Sequence, residues 1–324
     1  MDGVSSYRLA EPPLFTRLRP ASRVLIAGAG GGFDIYGGLP LAVALQGLGK
    51  QVFLASLSFD DLGRTPLEDW LLPGVAAVTP GTVGNDDYFP ERTLARWLAE
   101  TGREPVVHTF PRSGVRPLRD AYRGLVEHLG IDAIVLVDGG TDILLRGDET
   151  GLGTPHEDMT SLAAVAELDH LDRMVVSVGF GIDAYHGVCH AHVLENLAAL
   201  QRRNAFLGAL SIPLDSPEGA AYLAAVRHAA AETPSRPSIV HAQIAAALRG
   251  EFGNVQTTGR TGDTELFVNP LMAVYLAVDL PALARTVGYL PLLEPTEDAC
   301  QVVRVLDAHL AARPQPRPFT SFPH

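Results

Sequence analysis

From Arg23 the chain reads RVLIAGAGGGFD, a short apolar run that breaks into Gly28, Gly30, Gly31 and Gly32 and then meets Asp34. A run of this kind closed by a glycine turn marks a buried parallel strand whose end lets a ligand approach the backbone. The pattern continues down the chain. Strand-like runs at 24–27, 51–57, 75–79, 106–110, 133–137, 174–178 and 206–212 alternate with helical patterns at 39–48, 91–100, 117–129, 161–168, 191–203 and 218–231. This alternation predicts βαβ units and hence an α/β fold, Rossmann-like and doubly wound, with a mostly parallel sheet and helices on both faces. The segment IDAIVLVDGG is almost entirely apolar up to Asp138, as a strand covered on both sides should be.

Beyond Pro234 the reading is less regular. A helix is expected over 239–248, a strand over 265–268, an apolar helical stretch over 271–285 broken at Pro281, and a closing helix over 296–311 begun by Thr296, Glu297 and Asp298. The organisation expected is an N-terminal arm (1–22), a single α/β domain with elaborated loops (23–312) and a proline-rich tail (313–324), extended or mobile. Hydrophobic residues make up 47% of the 324 and charged residues 19%, which allows a sizeable core. A net charge of −12 opposes binding to nucleic-acid backbones and anionic membranes, so the expected partner is a small molecule. The apolar helical stretch near 271–284 leaves a homo-oligomer open. Two cysteines, Cys189 and Cys300, and a polar start without signal-peptide character point to a cytoplasmic protein, and no segment reads as membrane-spanning.

Three predicted strands end in glycine plus aspartate: GAGGGFD with Asp34, VDGGTD with Asp138, Gly139, Gly140, Thr141 and Asp142, and GFGID with Gly181 and Asp183. In an open parallel sheet these ends share one rim, where ligands bind. The first loop is not the usual dinucleotide fingerprint. The third-glycine position holds Phe33, and the second strand ends in Ser56-Leu57-Ser58 without a ribose-binding acid. A carboxylate beyond such a turn repels a bare phosphate and suits a sugar hydroxyl, a metal ion or a protonated group. Asp34, Asp138, Asp142 and Asp183 are therefore the candidate catalytic set, one of them a general base. Asp34, Asp138 and Asp142 are candidate ligands for Mg2+ or Ca2+.

Other segments carry weaker signals. In RGDETGLGTPHED, Asp148, Glu149, Glu157 and Asp158 either cap a helix and face solvent or form a lid and add metal ligands. His186 and His190 share a helical face if the helix starts early enough. With Asp183 or Glu195 they would suit Zn2+, Ni2+ or Fe2+, although Gly187 weakens that helix. Arg112 and Arg260 are candidate anion contacts. Neither G-x-S-x-G nor a P-loop is present, which removes serine-hydrolase and P-loop readings.

The ordered set AGAGGGFDIYGGLPLA, VDGGTDILLRGDE, GTPHED, GFGID and TGRTGD resembles the domain of unknown function 1152 family from about residue 20 to about residue 310. The resemblance implies a soluble prokaryotic protein with a Rossmann-like core and highlights Gly28, Gly30, Gly31, Gly32, Asp34, Asp138, Asp142 and Asp183; it implies no activity. From the residues, the expected function is an enzyme acting on a nucleoside, nucleotide or phosphosugar-like molecule by hydrolysis or group transfer. The alternatives are a non-catalytic nucleotide- or metabolite-binding protein and a non-classical nucleotide-dependent oxidoreductase.

Overall fold

A computed structural model describes residues 7–257, 266–313 and 315–321. Its strands are β1 (Arg23–Gly28), β2 (Gln51–Ser58), β3 (Trp70–Leu72), β4 (Val75–Val78), β5 (Val107–Pro111), β6 (Ala133–Asp138), β7 (Asp172–Ser177), β8 (Phe206–Ser211), β9 (Gly253–Asn254), β10 (Phe267–Val268) and β11 (Val274–Asp279). Its helices are α1 (Pro13–Leu18), α2 (Asp34–Gly37), α3 (Leu39–Gly47), α4 (Pro90–Glu100), α5 (Val115–Leu129), α6 (Pro155–Ala166), α7 (His190–Gln201), α8 (Pro217–Glu232), α9 (Ile239–Leu248), α10 (Leu280–Ala284), α11 (Leu290–Leu293) and α12 (Ala299–Ala312).

Nine strands form one sheet in the order β3-β4-β5-β2-β1-β6-β7-β11-β8. The central five, β5-β2-β1-β6-β7, are parallel, while β3, β4 and β11 run antiparallel to their neighbours. After β1 the chain builds outward through β2 and β5, then returns to lay β6 against the other side of β1. The strand order therefore reverses between β1 and β6, the switch point beyond which open α/β sheets bind their ligands.

Alternation along the strands serves two cores. Leu25, Ala27, Ile134, Leu136 and Val175 point to one, against α5, α6, α7 and the C-terminal helices. Val24, Ile26, Val135, Val137 and Val176 point to the other, against α1, α3, α4, α8 and α9. Each fully buried Leu, Ile or Val contributes roughly 1.5–3 kcal/mol, and burial on both faces explains why β1 and β6 carry almost no polar residue before their glycines. Leu14 and Leu18 of α1 are completely buried in the second core, so residues 13–18 pack as part of the α/β body.

Two local expectations are corrected. The stretch 271–285 is not one helix: Val274–Asp279 is strand β11, hydrogen-bonded to β7 on one side and β8 on the other. Its β-branched and aromatic residues, Val274, Tyr275 and Val278, suit a pleated surface with both faces covered. The closing helix begins later than expected, with Asp298 capping it by accepting a hydrogen bond from the Gln301 N–H. The described part of the proline-rich tail, residues 315–321, is irregular but held. Arg317 pairs with Asp148, Glu149 and Glu195 at 2.7, 2.7 and 2.5 Å. The Cys189 thiol donates to the Thr320 carbonyl. Among the described residues no helix is long and apolar enough to cross a membrane.

Candidate functional site

The glycine loop after β1 turns the chain sharply enough for α2 to start at Asp34. Gly31 has φ +87°, and a β-carbon there would stand 2.6 Å from the Leu57 carbonyl oxygen, so only glycine fits. Asp34 folds back over its own loop, one carboxylate oxygen accepting the Gly30 N–H at 2.7 Å. Gly28 packs equally close to α2, and Gly32 donates its N–H to the Leu57 carbonyl at 2.8 Å. Next to β1, its parallel partner β6 ends in Asp138. The next loop carries Gly139, Gly140 and Thr141 into a short 3-10 turn, Asp142–Leu144. From β7 the chain reaches Gly181 and the 3-10 turn Ile182–His186, which holds Asp183.

A fourth element completes the site. Helix α6 places Asp158 of its first turn against the β1 loop, while Ser161, one turn on, donates to the Ala29 carbonyl at 2.7 Å. The three carboxylates of Asp34, Asp138 and Asp158 offer oxygens that all lie within 4.8 Å of one another. The acid that joins Asp34 and Asp138 is thus Asp158 rather than Asp142.

The remaining two aspartates brace the loops. Asp142 accepts the N–H of Thr154 at 2.7 Å and its hydroxyl at 3.3 Å. Asp183 accepts the N–H of Thr141 at 2.6 Å and its hydroxyl at 3.3 Å. Gly140 is required here by close approach, since a β-carbon on it would stand 2.7 and 2.9 Å from the Asp183 oxygens.

Burial makes the grouping energetically unusual. Asp138, Asp142, Asp158 and Asp183 are 3%, 3%, 4% and 8% exposed, whereas Asp34 keeps partial exposure. One oxygen each of Asp138 and Asp158 has no hydrogen-bond partner among the described residues. None of the five aspartates forms a salt bridge among those residues either. Burial first, and then mutual repulsion, holds the carboxyls of Asp138 and Asp158 well above the usual aspartate value. Burial pushes Asp34 up to about 7, against the hydrogen bonds from the Gly30 and Gly139 backbone. Burial likewise raises Asp183 and, against its bonds to Thr154, Asp142. Buried carboxylates without a cationic partner either retain protons or hold a metal ion.

His241 on α9 was not singled out by sequence, and it lies at the edge of this centre. A β-carbon on Gly139 would stand 2.9 Å from an Asp34 oxygen and 3.6 Å from His241 Nε2. The ring is 1% exposed, and its Nδ1 is 2.8 Å from the Tyr222 hydroxyl. Nε2 has no partner of hydrogen-bonding geometry among the described residues. Burial lowers the ring to about 4, offset in part by the nearby Phe33 backbone, so His241 is neutral at physiological pH.

The other candidates fall into place around the rim. Arg112 pairs with Glu157 at 2.7 Å and lies over the Phe59 ring, so it reaches the rim already balanced by a carboxylate. His186 and His190 do not share a helical face: α7 starts only at His190, after Gly187 turns the chain at φ +81°. His186 is exposed, and His190 instead packs tilted against the Phe180 ring, centroids 5.3 Å apart. Arg260 lies outside the described residues. Asp158 stands in the sequence only as one of the four acids of RGDETGLGTPHED, and no local spacing sets it apart from Glu157 beside it.

Residues 25–311 match the family model described as protein of unknown function, DUF1152, and the chain belongs to that family. No curated protein and no solved structure matches it.

Proposed function

We propose that Asp34, Asp138 and Asp158 hold a divalent cation, Mg2+ or Ca2+, and that the chain is an enzyme acting on a nucleoside, nucleotide or phosphosugar by hydrolysis or group transfer. The observation that carries this reading is the set of three carboxylates within 4.8 Å, two of them with an unpartnered buried oxygen and none with a cationic side chain among the described residues. Carboxylate oxygens are hard ligands, and three of them leave coordination positions for water or substrate oxygens. A cation so held would polarise a phosphoryl or sugar oxygen and acidify a bound water.

The chain's own groups supply the rest. Asp34 is the partly exposed carboxyl of the three and, as an ionised ligand of the cation, serves as the general base toward a water or substrate hydroxyl. The β1 and β6 glycine loops bring backbone close to the ligand without side chains in the way. Asp142 and Asp183 keep those loops in register through Thr154 and Thr141.

Equilibrium dialysis against Mn2+ with metal analysis tests the centre. Wild type is expected to retain about one ion per chain, and Asp138→Asn and Asp158→Asn to lose it. Unchanged retention in both variants, or none in wild type at millimolar Mn2+, would refute the cation centre. A panel of nucleosides, nucleoside monophosphates and pentose phosphates, followed for release of base or phosphate with Mg2+ present, tests the chemistry. A bound but unaltered compound would make the chain a binding protein instead.

A further inference from the structure

A separate cavity of about 290 Å³ lies beside the acidic centre, lined by Gly181, Tyr185, His190, Gln243, Phe267 and Asn269 among others. It is joined to the centre by the chain itself: Gly181 and Ile182 line the cavity, and the next residue is Asp183. We infer that this cavity is a subsite for a planar, uncharged heterocycle bearing a hydrogen-bond acceptor, a nucleobase by class. The inference rests on the nucleoside or nucleotide form of the function proposed above and names the part of the molecule that the cation does not hold.

Three observations carry it. The first is an unused donor. Gln243 is 1% exposed, lines the cavity, and its carboxamide nitrogen has no hydrogen-bond partner among the described residues. A buried amide left unpaired keeps its full desolvation penalty, so the position makes physical sense if a bound acceptor satisfies it. His190 Nε2, on the opposite element, is also buried without a partner among those residues.

The second is the rim. Tyr185 and Phe267 are 68% and 52% exposed, large aromatic faces placed on the cavity lining rather than in the core. Exposed rings at a cavity mouth stack on flat ligands, and any base offers such a face. The floor is held clear by Gly181: a β-carbon there would stand 3.1 Å from Asn269 Nδ2 and 3.3 Å from His190 Nε2.

The third is charge. No Lys, Arg, Asp or Glu is among the described lining residues, although the neighbouring centre is crowded with carboxylates. An uncharged group is thus favoured in the cavity, with hydroxyl or phosphate oxygens falling to the cation. Asn269 is already engaged, donating to the Phe180 carbonyl at 3.1 Å and accepting the Leu271 N–H at 3.0 Å, so discrimination falls to Gln243 and His190.

Isothermal titration of the full chain with adenine, uracil, adenosine and ribose, with and without Mn2+, tests the assignment. At least one free base is expected to bind without added cation. Gln243→Leu and Tyr185→Ala are each expected to weaken base binding at least about tenfold while Mn2+ retention stays at the wild-type level. Asp138→Asn is expected to lose Mn2+ and keep base binding. Tyr185 is exposed, so its variant stays informative if Gln243→Leu fails to fold. The subsite is overturned if neither base binds at millimolar concentration, if both variants bind bases as tightly as wild type, or if ribose displaces the base. Base binding without any Mn2+ binding would sink the cation centre and leave the subsite standing.

Discussion

Removing cations from this protein should make its stability fall as pH rises, the reverse of ordinary acid denaturation. Asp34, Asp138 and Asp158 present oxygens within 4.8 Å of one another. At an effective dielectric near 20, each ionised pair then repels by at least about 3.5 kcal/mol, so the third charge adds about 7 kcal/mol. Holding a proton at pH 7 on a carboxyl whose ordinary value is 3.8 costs only about 4 kcal/mol. Without a cation the folded centre therefore keeps at least one proton that the unfolded chain releases. Raised folded values mean that the stabilising contribution is complete below 3.8 and is lost as pH climbs through the folded values, about 7 for Asp34 and well above the ordinary 3.8 for Asp138 and Asp158. Each retained proton lowers stability by about 1.4 kcal/mol per pH unit, or about 3 kcal/mol between pH 6 and 8. For a chain of 324 residues this corresponds to a fall of roughly 4 °C in Tm. The assay is thermal unfolding in chelator at pH 6, 7 and 8, repeated with excess Mg2+ and with Asp138→Asn. Excess Mg2+ should flatten the slope, because an ion bound as proposed would displace the protons. Asp138→Asn should shrink it and raise the Tm of the cation-free protein at pH 8. A cation-free Tm that is flat or rising from pH 6 to 8, or an unchanged slope in Asp138→Asn, would refute the reasoning.

Gly140→Ala should lower Tm and disorder the Asp183–Thr141 contact, since the new methyl would stand 2.7 Å from an Asp183 oxygen; thermal unfolding and amide exchange at Thr141 check this. Arg317→Ala should destabilise by about 1.5–3 kcal/mol, measured by urea unfolding, because Glu149 is fully buried and Arg317 is its charged partner. The His241 ring should stay neutral from pH 5.5 to 8 in carbon-detected NMR, as burial holds it down to about 4. Its lowered value removes stability only as pH falls from the ordinary 6.5 toward 4.

Much of the fold could be read because the central strands are short, apolar and punctuated by glycine, which is the pattern a doubly covered parallel sheet imposes. Asp34, Asp138 and Asp183 could be read for the same reason, as each closes such a strand. Asp158 could not, because a carboxylate in a first helical turn has an ordinary purpose as a helix-end charge, and only the tertiary placement of α6 aims it at β1. His241 was hidden in an alanine-rich helix whose partner, Tyr222, lies on α8, and no local pattern links the two. Strand β11 was misread because a short run buried on both faces has no periodicity to separate strand from helix. The bracing roles of Asp142 and Asp183 depend on hydrogen bonds to Thr154 and Thr141, which only the folded loops create.

Strand β11 also sets an order of events during synthesis. β7 ends at Ser177 and its sheet neighbour on the outer side is β11, which is not translated until residues 274–279. Until then the outer edge of β7 has unpaired backbone groups, and β8, already made, lacks its strand partner, which is β11. A nascent chain stalled or truncated before residue 280 would therefore carry an open edge on β7, one strand from β6 and Asp138. Such an edge is a substrate for chaperones and a nucleus for aggregation. Only chains translated through this late strand can close the sheet, so the C-terminal third acts as a completeness check on the protein.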